Sequence, residues 1–207
     1  MIMKVILLRH GQTEWNKLHK YQGHTDIELN DFGRQQAKKV AAYLRDHEKV
    51  EAIYCSDLSR GRETAEIIGA ELQLKVKCDP RWREICFGYW EGMTFNEVYE
   101  QYPREFDDWY KNTLQLKVPG GESFAELLER ALPALTEMSV HHQGTVVVVS
   151  HGGLIKMLVN HLHGGNGLWD TYLEPGSMTY LEWQGGEFAV VKIGFKMENN
   201  EAEGEIK

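Results

Sequence analysis

A three-layer α/β/α sandwich with a mostly parallel central sheet, an antiparallel edge and an inserted lid is the fold this sequence predicts. Three observations predict it: short apolar runs rich in β-branched residues, helical periodicities between them, and a turn-linked strand pair near the end. The runs are Lys4 to Leu8, Ala52 to Cys55 and Thr145 to Val149, the last reading TVVVV. A run that is apolar at nearly every position suits a strand covered on both faces, as strands of a parallel sheet are. Leu29 to His47 carries Phe32, Ala37, Val40, Ala41 and Leu44 at helical spacing, with Asn30 or Asp31 placed to cap it. Arg60 to Leu72, Ser123 to Met138 and Gly152 to Leu162 read as further helices. Met178 to Trp183 and Phe188 to Ile193 flank Gln184, Gly185, Gly186 and Glu187, a hairpin signal that supplies the antiparallel edge. Residues 87–121 differ from the rest. They hold Trp90, Phe95, Tyr99, Tyr102, Phe106, Trp109 and Tyr110, with Pro103 and Pro119 as breakers, and this predicts a lid of short helices and loops.

At 207 residues the chain is long enough to bury one sizeable core. The expected organisation is a single domain over residues 1–195, including the lid, followed by an acidic tail over 196–207. That tail has four Glu and two Lys, a contribution of −2, and little to bury, so it is expected to fray. No stretch approaches the roughly 18 apolar residues of a membrane span. The net charge of −8 repels nucleic acid and anionic membranes at long range, so neither is an expected partner and any anion must be caught locally. Cys55, Cys78 and Cys86 form no C-x-x-C pair and are read as reduced thiols, mostly core filler. The apolar start ends at Arg9 and His10 before any small-residue cleavage site, and a cytoplasmic location is the expectation.

The chemistry concentrates where predicted strands end. Leu8, Arg9, His10 and Gly11 close the first run, and Ser150, His151, Gly152 and Gly153 close the third. Active sites of open α/β sheets lie at such C-terminal strand ends. The glycines allow close backbone approach, and a helix starting near Gly152 aims unpaired N–H groups at an anion. A third block, CSDLSRGRETA from Cys55, puts Arg60 and Arg62 where a strand becomes a helix. Two residues apart, they cannot share one helical face, so at most one faces a common site.

Taken together, LLRHGQTEWN, CSDLSRGRETA, REICFGYWEG and VVVVSHGG resemble the histidine phosphatase superfamily, the phosphoglycerate mutase-like proteins. The four blocks occur in the family's order, and four ordered blocks are far more specific than a lone R-H-G. The resemblance implies phosphoryl transfer through a phosphohistidine, with His10 as nucleophile. Arg9, Arg60 and His151 would bind the phosphoryl group and depress the His10 pKa by like-charge repulsion. Arginine forks suit phosphoryl oxygens and the charge that spreads over them. By similarity the proton donor is Glu84, and Trp82, Phe87 and Trp90 are expected to desolvate its carboxyl. Glu91 is the rival donor, read as structural. Asn16, Gln22 and Gly23 align with positions that bind phosphate or its neighbours, and Gly152 joins them as a substrate contact. No cofactor and no metal is implied. His161 and His163 form an H-x-H pair without a supporting carboxylate or cysteine set, and His141 and His142 close a helix.

Small phosphate esters are therefore the expected ligands. A cofactor-dependent phosphoglycerate mutase shares this pocket but carries a longer, charged insertion after the acid, whereas Ile85 to Trp90 and the lid here are rich in aromatics. Pro119 to Ser123 resembles the phosphatase branch, which includes α-ribazole phosphatases and broad-specificity enzymes. The lid aromatics favour hydrophobic or aromatic leaving groups. A non-catalytic phosphate-binding protein is the competing reading of another class. It would keep the cations but has no use for a nucleophile together with a proton donor.

Overall fold

Continuous apolar runs end up in the middle of the sheet, where both faces are covered. In the computed structural model, which describes residues 3–164 and 172–197, the strands are β1 (Met3–Arg9), β2 (Val50–Cys55), β3 (Val76–Cys78), β4 (Thr145–Ser150), β5 (Met178–Gln184) and β6 (Glu187–Phe195). The helices are α1 (Glu14–Lys17), α2 (Asp31–His47), α3 (Ser59–Leu72), α4 (Phe95–Gln101), α5 (Pro103–Lys111), α6 (Phe124–His141) and α7 (Gly152–Leu162). The strand order is β3-β2-β4-β1-β5-β6. The first four are mutually parallel, and β5 and β6 run antiparallel. The three-layer sandwich with an antiparallel edge is thus the observed fold. Residues of the acidic tail from 198 onward lie outside the described residues.

Period-2 alternation divides the core into two layers. Val5, Leu7, Val146 and Val148 face α6 and α7, where Leu127, Leu135, Leu154 and Leu158 meet them. Ile6, Leu8, Val147 and Val149 face the other way, onto Val40, Ala41 and Leu44 of α2 and Ala65 and Ile68 of α3. Every residue of β4 is buried, which explains its unbroken valine run. Among the described residues no helix is long and apolar enough to cross a membrane.

Three sequence expectations change. Phe32, counted on the apolar face of α2, is 46% exposed; Asn30 caps that helix by accepting from Gly33 N at 2.8 Å, and the buried face begins at Gly33. The cysteines are not mostly core. Only Cys55 is buried, while Cys78 is exposed on β3, whose pairing with β2 sets the two sulfurs 3.5 Å apart. Finally, β3 and α1 went unread because three or four residues with little or no burial carry no periodic signal.

Candidate active site

The register of β1 against β4 builds the centre of the site. Arg9 pairs with Ser150, and His10 N donates to Ser150 O at 2.9 Å, so the residues that follow both strands emerge side by side. The His10 and His151 rings lie 5.1 Å apart, edge to face. Each ring has one nitrogen occupied. Nδ1 of His10 lies 2.6 Å from Gly11 O, a carbonyl that can only accept, so this nitrogen carries the proton and Nε2 keeps its lone pair. Nδ1 of His151 accepts from Arg60 Nε at 3.2 Å, and because a guanidinium only donates, the proton of neutral His151 is on Nε2. That Nε2 is buried and has no hydrogen-bond partner among the described residues.

Arg60 reaches the site from the first turn of α3 with no exposed surface. Its Nη1 donates to Thr25 O at 2.9 Å and its Nη2 to Gly23 O at 2.7 Å. Three of the roughly five guanidinium N–H groups are thereby held by protein, leaving two for a ligand. Arg62 points away and pairs with Glu66 instead. Gly23 has φ +52°, and a Cβ there would overlap the Glu91 carboxylate, so this turn needs glycine. Arg9 donates through Nη1 to Leu173 O, and its Nε is buried without a partner among the described residues. Two unpartnered buried donors, on Arg9 and His151, thus belong to one site.

Burial holds the His10 pKa well below its ordinary value, with Arg60 and then Arg9 adding to the effect. The expected like-charge repulsion is real but ranks second to desolvation. His151 is depressed in the same way, by burial first and then by Arg60 and His10. Burial also lowers Arg60, to about 10. Both imidazoles are therefore neutral at neutral pH, and both guanidiniums remain charged.

Glu84 has a different setting from the one its aromatic neighbours suggested. Its Oε2 accepts from Gly153 N at 2.9 Å, and its Oε1 accepts from Leu154 N at 2.9 Å and from Ile85 N at 3.0 Å. The helix start that was to receive an external anion already holds one, the Glu84 carboxylate. Gly153 permits this approach: a Cβ there would stand 2.6 Å from Oε1. The Glu84 carbonyl is fixed too, by Arg130 Nη2 at 2.7 Å and His24 Nε2 at 2.9 Å. Glu91 is committed elsewhere, accepting from His24 N, Thr25 N and Phe87 N at 2.8 to 3.1 Å.

Two cavities meet at this carboxylate. The smaller, about 150 Å³, is lined by Arg9, His10, Asn16, Gln22, Gly23, Arg60 and Glu84 together with Lys20, Tyr21 and Phe87. Asn16 Oδ1 accepts from Thr13 N at 3.0 Å within the cap of α1, and Gln22 Oε1 accepts from Thr13 Oγ1 at 3.0 Å, so each has its amide nitrogen left to donate. The larger cavity, about 440 Å³, also includes Arg9, Tyr21, Glu84 and Phe87 in its wall. It continues along Gly152 and Gly153 to Lys156, under the lid residues Phe95, Phe106, Trp109 and Tyr110. The lid aromatics therefore divide. Trp90 is fully buried, stacked edge-on to Trp109 at 5.3 Å, whereas Phe95 and Tyr110 border the cavity.

Sequence reasoning missed Tyr21, Lys20 and Lys156. For Lys156 a signal existed: it follows Gly152 and Gly153 by four and three residues and so shares their helical face. For Tyr21 and Lys20 the only hint was their position beside Gln22.

Comparison with known proteins gives the family. The family model described as histidine phosphatase superfamily (branch 1) matches residues 5–196. Phosphoglycerate mutase-like protein 4 of Arabidopsis thaliana is 40% identical over 158 residues, 75% of this chain and 69% of that protein. Phosphoserine phosphatase 1 of Hydrogenobacter thermophilus is 40% identical over 151 residues, 72% of this chain and 71% of its own. The solved structure of Bacillus stearothermophilus YhfR matches with a TM-score of 0.86 at 34% identity, covering 94% of this chain and 98% of that one. With the motif blocks at these strand ends and a family model matching nearly its whole length, the chain belongs to the histidine phosphatase superfamily, branch 1.

Proposed function

We propose that this protein hydrolyses small phosphomonoesters through a phosphohistidine at His10, without a metal ion, and favours hydrophobic or aromatic leaving groups. The observation that carries the proposal is the convergence on one small cavity of the free His10 lone pair and the guanidiniums of Arg9 and Arg60, with the His151 ring packed edge to face against His10 at 5.1 Å. Those donors meet the charge on the three non-bridging oxygens, which is the main demand of phosphoryl transfer.

Glu84 stands where the two cavities join, the place for the bridging ester oxygen if the phosphoryl group fills the smaller and the leaving group the larger. In the first step His10 Nε2 forms a bond to phosphorus, the P–O ester bond breaks, and Glu84 in its acid form gives a proton to the departing oxygen. Oε2 suits this task because it accepts from one backbone N–H, whereas Oε1 accepts from two. In the second step Glu84 takes a proton from water, the new P–O bond forms, and the N–P bond breaks, releasing phosphate. The mostly aromatic wall of the larger cavity supports an apolar leaving group.

Quenching turnover of 32P-labelled phenyl phosphate in alkaline denaturant, where an N–P bond persists, tests the covalent step: label is expected on the wild type and absent from His10→Ala. A wild type that turns over substrate without trapping label overturns it. For specificity, phenyl phosphate should be hydrolysed with higher kcat/KM than 3-phosphoglycerate. Equal or better turnover of the latter removes the leaving-group claim, and α-ribazole 5′-phosphate in the same panel tests the narrower alternative.

A further inference from the structure

Lys156 is the charged group of the larger cavity that the proposed reaction leaves unused. Of the charged residues in that wall, Arg9 is assigned to the phosphoryl group and Glu84 to the proton, and the remaining cation stands among aromatic rings. Lys156 is half-buried and makes no hydrogen bond or ion pair with the described residues. Burial pulls its pKa down, Arg9 pulls further, and Glu84 opposes both. An ammonium placed in an apolar wall without a partner is costly unless a ligand supplies the counter-charge.

Its position sets where that counter-charge belongs. Gly153 N holds Glu84 Oε2, and Lys156 follows Gly153 by three residues on the same face of α7, roughly 5 Å further along the axis. We propose that Lys156 is a specificity-determining residue that pairs with a carboxylate carried on the apolar body of the leaving group, a few bonds from the ester oxygen. The inference rests on the phosphatase reading above and narrows its substrate class to phosphomonoesters whose leaving group is an apolar or aromatic body bearing a carboxylate.

The test compares kcat/KM for phenyl phosphate and 3-carboxyphenyl phosphate, a pair that differs only in the second anion. Wild type is expected to favour the carboxylated ester by about tenfold or more, the scale of one hydrogen bond to a charged group. Lys156→Met should abolish that preference, Lys156→Arg should retain most of it, and Lys156→Glu should invert it. If Lys156→Met lowers kcat/KM for both esters by the same factor, Lys156 acts on the phosphoryl group or on Glu84 and the inference is overturned. The absence of any preference in the wild type overturns it as well. In both cases hydrolysis itself continues, so the phosphatase reading survives. A wild type that hydrolyses neither ester defeats the phosphatase reading and this inference together.

Discussion

At the scale of single residues, the site is organised by which atom of each side chain is already taken. His10 and His151 use opposite roles of Nδ1, one donating and one accepting, so their Nε2 atoms differ in kind: a lone pair on one and an N–H on the other. Their buried, neutral state has a measurable thermodynamic consequence. Unfolded, each ring titrates near 6.5, while folded each binds a proton only at much lower pH. Below pH 6.5 the unfolded chain therefore holds more protons, and stability falls with acidification by about 1.4 kcal/mol per pH unit for each such histidine. Urea unfolding at pH 7.5 and pH 5.5 should show this loss, and His151→Gln should show a smaller one. An identical pH dependence in the variant would remove His151 from the explanation. Gly153→Ala provides a steric test, because its Cβ must displace the Glu84 carboxylate. A fall in kcat of about 100-fold, with the melting temperature nearly unchanged, is the expected result.

Elements decide how rigidly those residues are held. The loop that carries Glu84 has no regular structure of its own beyond two short 3-10 turns at Pro80–Trp82 and Gly88–Trp90, and Arg130 from α6 ties it down. Its Nη1 donates to Arg81 O at 2.9 Å and Arg83 O at 2.7 Å, its Nη2 donates to Glu84 O, and Glu122 balances the charge at 3.0 Å. Arg130→Met leaves those carbonyls and Glu122 without their donor, with an expected cost of about 2 to 4 kcal/mol. Thermal unfolding measures that loss, and kcat should fall with it because the donor is no longer fixed. The long helices were legible from sequence because their caps and apolar stripes are local, as at Asn30 and Ser123. The Glu84 setting was not, since Gly153, Leu154 and Arg130 lie 46 to 70 residues away in the chain. The sequence around Glu84 shows only its aromatic neighbours, whereas two of its three backbone donors come from a helix start that no local pattern links to it.

For the molecule as a whole, strand order turns scattered motifs into one site. β1 and β4 are 136 residues apart at their closest ends, yet they are neighbours in the sheet, so the two histidines that each follow a strand become a pair. Apolar runs and intervening helices made the fold class readable from sequence. Which strands are neighbours depends on how α2, α3, α6 and α7 divide between the two faces, and no local pattern encodes that division. The same topology gives the molecule two unlike ends. β5 runs antiparallel to β1, pairing Leu8 with Met178 and Met3 with Trp183, so the turn at Gly185 and Gly186 lies at the end of the sheet opposite Arg9 and His10. Both glycines are exposed, and nothing stands within 4 Å of where their side chains would begin. That turn is consequently an attachment point facing away from the pocket mouth. A cysteine-bearing loop spliced between Gly185 and Gly186 should allow coupling to a bead or electrode with kcat/KM for a small phosphate ester within about twofold of the free protein.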